Sequence, residues 1–343
     1  RGSIMDAIGL PLLLGSFAIA GAVVWIAGIA ISNATDVLDE RFGLGEALGG
    51  MVLLAIVTNL PEIAIVCSAA LRSQMDIAVG NILGGIAIQT VVLAVLDLVG
   101  LGRKASLSYL ADAPALLIEG ALVVAVLALT IIGHHMPAQM IWLRMTPVSV
   151  LILLAWIAGL HVIRHAHSTL PKGKGVGAKK PKAKGSTARH LFVFGLGALA
   201  TLAAGVALEV SGEAIAKSIH MTGAVFAATV LAAATSLPEI STGLQSVKNG
   251  DYQLAFSDIF GGNAFLPVLF LLATLLSGKA VLPDAKPTDI YLTGLGIVVT
   301  CIYLAGLALR ANRQWWRMGV DSWVVVAIYA LGVIGLLFVP AHG

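Results

Sequence analysis

Two copies of one pentapeptide decide the fold of this 343-residue chain: Thr58-Asn59-Leu60-Pro61-Glu62 and, 177 residues later, Thr235-Ser236-Leu237-Pro238-Glu239. Each copy lies inside a long apolar stretch that is expected to lie in lipid. A glutamate in hydrocarbon is costly and marks a functional site by default. The proline before it removes a backbone donor and so frees the carbonyl four residues earlier, which is that of Val57 or Ala234. Carbonyls freed in this way are oxygen ligands for a cation.

The composition is that of a polytopic membrane protein. Hydrophobic residues make up 58% of the chain and charged residues 11%, and the mean hydropathy is +0.96. A bilayer core of about 30 Å takes about 20 apolar residues per helix. With spans of about that length, the sequence contains ten candidate spans, so the predicted fold class is all-α with ten transmembrane helices. The predicted spans are 8–31, 46–72, 76–100, 113–133, 143–164, 191–211, 223–249, 251–277, 289–309 and 321–340.

The positions of Lys and Arg predict how these spans are oriented. Segment 165–190 carries seven of the 21 basic residues among glycines, alanines and prolines, which favours a flexible cytoplasmic linker. With five spans on each side of it, both termini fall outside, and 15 of the 21 basic residues lie inside. The predicted location is the cell inner (cytoplasmic) membrane, where the linker can contact anionic lipid. Nucleic acid is not an expected partner, because the basic run lacks aromatic residues.

The two pentapeptides belong to a longer repeat. Residues 58–85 align with 235–262 without a gap and share nine identities in 28 positions. The same register aligns Asp112 with Asp289, and both are predicted to lie at helix starts, where a carboxylate complements the macrodipole. Each half has an odd number of spans, so the second half starts on the opposite side of the membrane from the first. The two halves are therefore expected to be inverted relative to each other, as in many secondary transporters. The predicted domains are a first five-helix repeat at 4–164, the linker at 165–190 and an inverted second repeat at 191–343.

The paired glutamates predict an ion site. Glu62 and Glu239 fall near the middle of their spans, and inverted packing would bring them face to face. Two carboxylates in one dehydrated cavity require protons, monovalent cations or a divalent ion to neutralise them, and competition among these ions is exchange chemistry. Ca²⁺ takes six to eight oxygen ligands. Further oxygen candidates precede each glutamate: the side chains of Thr58, Asn59, Thr235 and Ser236 and the carbonyls of Val57 and Ala234.

The span after each pentapeptide carries small and polar residues at matching positions. It contains Gly84-Gly85 in the first copy and Gly261-Gly262 in the second, and glycine pairs allow helices to pack closely in lipid. Asp258 is a candidate third carboxylate, although its position is more often structural. Of the other acidic residues, Glu209 either lines an access path or, as suits a helix end, snorkels to the interface. Glu119 and Asp97 are expected to be interfacial or paired.

Together these elements resemble the Ca²⁺/cation antiporter superfamily, which includes sodium/calcium exchangers and cation/proton exchangers. The resemblance covers essentially the whole chain. It implies ten helices, of which the second, third, seventh and eighth form the ion site while the first and sixth slide over them. It further implies that Glu62 and Glu239 are the paired, metal-binding carboxylates and that Thr58 and Thr235 line the ion sites.

The chain departs from that family at positions that bear on the counter-ion. The family usually has serine where Gly85 and Gly262 stand here, and a polar ligand where Leu266 stands. Asn263 keeps the asparagine of the pattern, and Gln89 occupies the amide position of the first copy, as in the proton-coupled branch. The missing hydroxyls disfavour sodium coupling, whereas Gln89 favours protons.

The predicted function is therefore a secondary active antiporter, not an enzyme, that exchanges Ca²⁺ or a related divalent cation against H⁺ or Na⁺ by alternating access. A monovalent Na⁺ or K⁺/H⁺ antiporter is the alternative. An ion channel and an intramembrane hydrolase are rivals from other classes, and the sequence has neither a Gly-x-Ser-x-Gly nor a His-Glu-x-x-His motif for a hydrolase. No cofactor is expected. The expected partners are the transported cations and membrane lipid, and a homo-oligomer stays open.

Overall fold

The structure is a computed structural model that describes residues 9–42, 51–101, 105–111, 114–169, 186–310 and 312–339. It is built almost entirely of helices, which confirms the predicted all-α class. Within the described residues, seven helices are long and apolar enough to cross a membrane. They are Leu10–Thr35, Met75–Gly100, Ala115–His134, Pro147–Ala166, Thr187–Ser218, Tyr252–Ser277 and Pro287–Leu309.

The described residues contain seven α-helices before residue 170 and eight after residue 185, and the helices on either side, Pro147–Thr169 and Thr187–Ser218, extend into the two ends of the predicted linker 165–190. The first set is α1 (Leu10–Phe42), α2 (Met51–Thr58), α3 (Leu60–Leu71), α4 (Met75–Gly100), α5 (Leu107–Leu110), α6 (Ala115–His134) and α7 (Pro147–Thr169). The second set is α8 (Thr187–Ser218), α9 (Gly223–Phe226), α10 (Ala232–Thr235), α11 (Leu237–Lys248), α12 (Tyr252–Phe265), α13 (Leu269–Ser277), α14 (Pro287–Leu309) and α15 (Val320–Leu336). Most of the predicted linker, 170–185, and Asp112 lie outside the described residues.

Short irregular elements connect some of these helices. A π-helical turn, Ala227–Leu231, joins α9 to α10, and 3₁₀ turns occur at Leu266–Val268 and Leu282–Asp284. Strands β1 (Gln314–Trp315) and β2 (Met318–Gly319) form a two-residue antiparallel hairpin before α15.

Both segments that carry a pentapeptide are broken helices, whereas the sequence predicted one continuous span in each place. The first breaks at Asn59, between α2 and α3, and the second at Ser236, between α10 and α11. Proline is the second residue of α3 and of α11, and its missing N–H interrupts the helical hydrogen-bond ladder just before it. These breaks leave two segments, 51–71 and 223–248, without a single continuous long helix.

The two halves pack on each other reciprocally. The long helices α1 and α8 lie against each other, and each also packs on the broken helix of the opposite half. A Cβ atom on Gly28 of α1 would lie 2.9 Å from the Cβ of Pro238, and one on Gly205 of α8 would lie 2.8 Å from the carbonyl oxygen of Pro61. Only glycine permits this approach, so the long helices sit directly over the two prolines.

The next helix of each half completes the centre of the bundle. Helix α4 packs on the π-helical turn and on α10, and α12 packs on α2. Gly84 lies against the backbone of Ala228 and leaves no room for a Cβ atom, so a close-packing role is clear for this glycine. The main apolar core extends from here through α4, α6, α12 and α14.

Candidate functional site

The glutamates of the two pentapeptides lie buried in the middle of the bundle. Glu62 stands in the first turn of α3 and Glu239 in the first turn of α11. Their carboxyl groups are close enough for the two charges to interact, as the sequence predicted. A helix N-terminus carries a partial positive charge that favours a nearby anion. Each carboxylate is thus placed at a favourable helix end within a dehydrated setting.

Each half places a threonine beside the glutamate of the other half. The Thr235 hydroxyl lies beside the Glu62 carboxyl group, and the Thr58 hydroxyl lies beside that of Glu239. The Gln89 amide, from α4, donates to Glu62 Oε1 at 3.4 Å. The structure therefore brings five residues that the sequence singled out into one buried cluster.

Asn59 and Ser236 occupy the breaks themselves. The Asn59 side-chain amide donates to the Ala55 carbonyl at 2.6 Å, and the Ser236 hydroxyl donates to the Ala232 carbonyl at 2.7 Å. Each side chain therefore closes the last turn of the helix before it. The carbonyl oxygens of the predicted ligands Val57 and Ala234 lie in those turns, where the prolines supply no N–H to them.

Helices α4 and α12 supply the remaining predicted residues. The Asn263 amide donates to Thr90 Oγ1 at 3.0 Å and to the Ile86 carbonyl at 3.3 Å, which ties α12 to α4. The Thr242 hydroxyl donates to Asp258, and the charge of Asp258 acts on Glu239. Asp258 therefore lies at the edge of the cluster.

The positions that depart from the family pattern lie next to the same cluster. A Cβ atom on Gly262 would lie 2.8 Å from the Asn59 amide nitrogen, so Asn59 fills the space that a serine would need. A Cβ atom on Gly85 would meet only a methyl group of Leu266, at 3.9 Å. An apolar side chain thus stands where the family places polar ligands.

Several buried oxygen atoms in the cluster have no hydrogen-bond partner among the described residues. Such atoms are costly in a protein interior, and a bound cation satisfies them. They are Asn59 Oδ1, Glu62 Oε2, Gln89 Oε1, both carboxyl oxygens of Glu239 and Asn263 Oδ1.

The donor set is dominated by amide and hydroxyl groups around two carboxylates. Within the part of the chain that the structure describes, no group of three or more His, Cys, Asp or Glu side chains is arranged to hold a metal. The cluster therefore has the chemistry of a site that binds a hard cation through oxygen, rather than that of a thiolate or imidazole metal centre.

Asn81 is a buried residue of this region that the sequence analysis did not select. Neither atom of its side-chain amide has a hydrogen-bond partner within the described residues. The repeat register aligns Asn81 with Asp258, so the sequence contained the signal that could have found it.

Two acidic residues outside the site are paired. Glu209 does not snorkel, because it is fully buried and accepts hydrogen bonds from Arg72 and Ser68. Asp97 accepts hydrogen bonds from the backbone N–H of Gly319 and two further groups, which confirms that it is paired. The Asp289 carboxylate accepts a hydrogen bond from the backbone N–H of Lys286 at the start of α14, which confirms its predicted role at a helix start.

Helices of membrane-spanning length, breaks in the middle of the bundle and a shared carboxylate pair define a multi-pass membrane transporter. The chain belongs to the sodium/calcium exchanger protein family, whose family model matches residues 12–162 and 189–338. The predicted Ca²⁺/cation antiporter superfamily is thereby confirmed, and the protein is a transporter rather than an enzyme.

The chain is similar to individual proteins in sequence and in structure. The chain is 26% identical over 259 residues to the inner membrane protein YrbG of Escherichia coli (strain K12), covering 75% of this chain and 77% of that protein. A structure of the sodium-calcium exchanger NCX_Mj matches with a TM-score of 0.65 and 16% identity, over 96% of this chain and all of the other. The crystal structure of the H⁺/Ca²⁺ exchanger CAX matches with a TM-score of 0.66 and 13% identity, over 95% and 87% of the two chains.

Proposed function

We propose that this protein is a secondary active antiporter that exchanges Ca²⁺, or a related divalent cation, against H⁺ or Na⁺ by alternating access. The observation that carries the proposal is the burial of Glu62 and Glu239 together, between the broken helices of both halves. Two adjacent carboxylates bind one divalent ion with full charge compensation. When that ion leaves, the pair has to be neutralised by protons or sodium ions, so the two fluxes are coupled.

The oxygen donors favour Ca²⁺ over Mg²⁺. Ca²⁺ accepts six to eight oxygens in a flexible geometry, whereas Mg²⁺ requires near-octahedral geometry and keeps several of its waters. A buried site built from long, adjustable side chains such as Gln89, Glu62 and Glu239 suits the larger ion. We propose Glu62 and Glu239 as the metal ligands, supported by the other predicted oxygen donors.

The surroundings of the pair support H⁺ as the counter-ion. The hydroxyls that would add sodium ligands are missing at Gly85 and Gly262, and Leu266 brings a methyl group instead of an oxygen. A proton needs only one carboxyl oxygen, and a protonated Glu62 keeps its hydrogen bond from Gln89. The solved relatives named above include both a sodium-calcium and an H⁺/Ca²⁺ exchanger, so the fold is compatible with either coupling.

The same residue, Leu266, favours a second candidate function. Loss of one polar ligand leaves fewer oxygens around the site than a pattern with a polar residue at this position would supply to Ca²⁺. A Na⁺ or K⁺/H⁺ antiporter is therefore the alternative.

We propose ten membrane crossings, with each broken helix counted as one crossing, and two inverted halves. The reciprocal packing of α1 and α8 on the two broken helices supports this arrangement. So do two contacts between distant residues, each of which joins groups that the proposed topology puts on one side. Arg72 pairs with Glu209 on the outer side, and Asp97 binds the Gly319 N–H on the inner side.

We also propose that the protein lies in the inner membrane, with both termini outside and 165–190 in the cytoplasm. The basic residues of that segment support the orientation. The relative YrbG is named an inner membrane protein, which supports the location.

The proposal is tested with purified protein in sealed liposomes. Uptake of radiolabelled calcium is measured under an imposed pH gradient and then under a sodium gradient, for the wild type, Glu62→Gln and Glu239→Gln. Asp284→Asn, at an exposed carboxylate, is the matched control. We expect both glutamine variants to lose at least about 100-fold in gradient-driven uptake, since a neutral amide cannot replace the charge of the pair. Unchanged uptake in both variants contradicts the proposal, and uptake of sodium or potassium that ignores calcium favours the alternative.

A further inference from the structure

A partly enclosed cavity lies beside the ion site, between α2, α6, α7 and α12. It has room for about two water molecules. Its wall is mostly apolar and includes Trp156 and Phe260. The polar side chains among its described lining residues are Glu119 of α6 and Ser257 of α12. Neither residue belongs to the predicted ion site.

The cavity reaches to within one helical turn of the site. Ala55, which lines it, accepts the hydrogen bond from the Asn59 amide. Gly261 also lines it and faces Ala55, since a Cβ atom there would lie 3.4 Å from the Ala55 Cβ. The next residue, Gly262, faces Asn59. The Ala55–Gly261 contact therefore lies on the side of the cavity that faces the buried cluster.

Glu119 and Ser257 are both buried, so their polar atoms face the cavity rather than open water. The Ser257 hydroxyl has no hydrogen-bond partner among the described residues. A hydroxyl in that state can hydrogen-bond a water in the cavity, because it both donates and accepts. Ser257 also precedes Asp258, whose charge acts on Glu239.

The chemistry of the cavity selects one kind of ion. One carboxylate and one hydroxyl cannot supply the six to eight oxygens that Ca²⁺ requires. They are sufficient for a proton, which moves between a carboxylate, water and a hydroxyl, and intramembrane carboxylates commonly act as proton relays. Glu119 stands in the first half of α6 and Ser257 in the first half of α12, which the proposed topology places toward the cytoplasm.

We infer that Glu119 and Ser257 form a proton branch, separate from the cation route, that connects the cytoplasmic side with the paired glutamates. This inference rests on the proposed function and assigns H⁺ as its counter-ion. The Glu119 carboxylate takes up a proton from H₃O⁺ on the cytoplasmic side, which leaves water, and is restored when it releases the proton to the cavity water next to Ser257. That protonated water then passes the proton to a carboxylate of the Glu62–Glu239 pair as the divalent ion leaves, and the same steps run backward when the ion returns.

Two transport modes of the reconstituted protein test the inference. Calcium–calcium counterflow moves no net proton, whereas calcium uptake driven by a pH gradient does, and an internal pH dye reads the proton flux. We expect Glu119→Gln to lower pH-driven uptake about tenfold or more while counterflow stays within about twofold of wild type. Glu119→Asp keeps the carboxylate and is expected to restore part of the loss. Ser257→Ala is expected to lower pH-driven uptake selectively, and Asp284→Asn to change neither mode.

The outcomes separate the inference from the proposed function. Equal loss of both modes in Glu119→Gln, or no loss in either, overturns the inference. If Glu119→Gln does not fold, as judged by size-exclusion chromatography, the Ser257→Ala comparison decides alone. Wild-type counterflow without pH-driven uptake also overturns the inference but leaves a calcium exchanger in place. Absence of wild-type counterflow rejects the proposed function itself.

Discussion

Arg72 holds two carboxylates of α8, and replacing it with leucine is expected to destabilise the protein substantially. Its Nη1 atom lies 2.9 Å from Glu209 Oε2, and its Nη2 atom lies 3.0 Å from Glu213 Oε2. The Glu209 side chain is 0% exposed and that of Arg72 is 33% exposed. Arg72 follows directly after α3, so this pair fastens the helix of Glu62 to α8.

The expected loss in the free energy of unfolding follows from the buried Glu209 carboxylate that Arg72→Leu leaves without its partner. Removing one partner of a fully buried ion pair costs about 3–5 kcal/mol, because the other charge stays buried without compensation. Two features reduce that cost. Arg72 is one-third exposed, and Glu209 keeps the hydroxyl of Ser68 at 2.8 Å. We therefore expect Arg72→Leu to lower the free energy of unfolding by about 2–3 kcal/mol.

The assay is unfolding in mixed micelles with an increasing mole fraction of sodium dodecyl sulfate, followed by tryptophan fluorescence. Lys217→Ala is the matched control, because Lys217 pairs with Glu213 of the same cluster but is 60% exposed. A surface pair of this kind contributes about 0.5 kcal/mol. The double variant Arg72→Leu with Glu209→Leu removes both charges, so it is expected to cost less than the two single variants added together.

Two results would refute this reasoning. One is a cost for Arg72→Leu that is no larger than that for Lys217→Ala. The other is a double variant whose cost equals the sum of the single ones, which would mean that the two charges do not stabilise each other.

Two further predictions concern the packing of the halves and the ion site. Gly84→Ala is expected to cost about 2 kcal/mol or more, because its Cβ atom would clash with the backbone of Ala228, whereas Gly294→Ala fills open space and is expected to be neutral or stabilising. Equal unfolding free energies for these variants would contradict the packing argument. Gln89→Leu removes the amide that donates to Glu62 and is expected to raise the apparent KM for calcium about tenfold, a loss of about 1.5 kcal/mol. Uptake measured against calcium concentration checks this, and an unchanged KM would exclude a ligand role for Gln89.

The sequence predicted the residues of the site because their signals are local. A proline and a glutamate in an apolar stretch, present twice in one register, were sufficient to select Glu62 and Glu239. The same register related Asn81 to Asp258. The structure adds the breaks at Asn59 and Ser236, which follow from the missing N–H of proline but whose exact place depends on packing.

Pairings between distant segments could not be read from the sequence. Glu209 was expected to line an access path or to reach the interface, because it lies near the end of its predicted span. Its partner Arg72 lies 137 residues away. The π-helical turn Ala227–Leu231 likewise has no sequence signal, since it accommodates the approach of Gly84 from another helix.

The Arg72–Glu209 ion pair makes the two ends of the bundle unequal, and this inequality biases the balance between the two access states. In the repeat register Arg72 corresponds to Asn249 and Glu209 corresponds to Ser32, so the second copy has no equivalent ion pair. Asn249 instead accepts a hydrogen bond from Gln245 of its own helix. An exchanger whose inverted halves were identical would populate its two access states equally. An ion pair that is made in one access state and broken in the other shifts that balance toward the first state, by about tenfold for every 1.4 kcal/mol that the pair contributes.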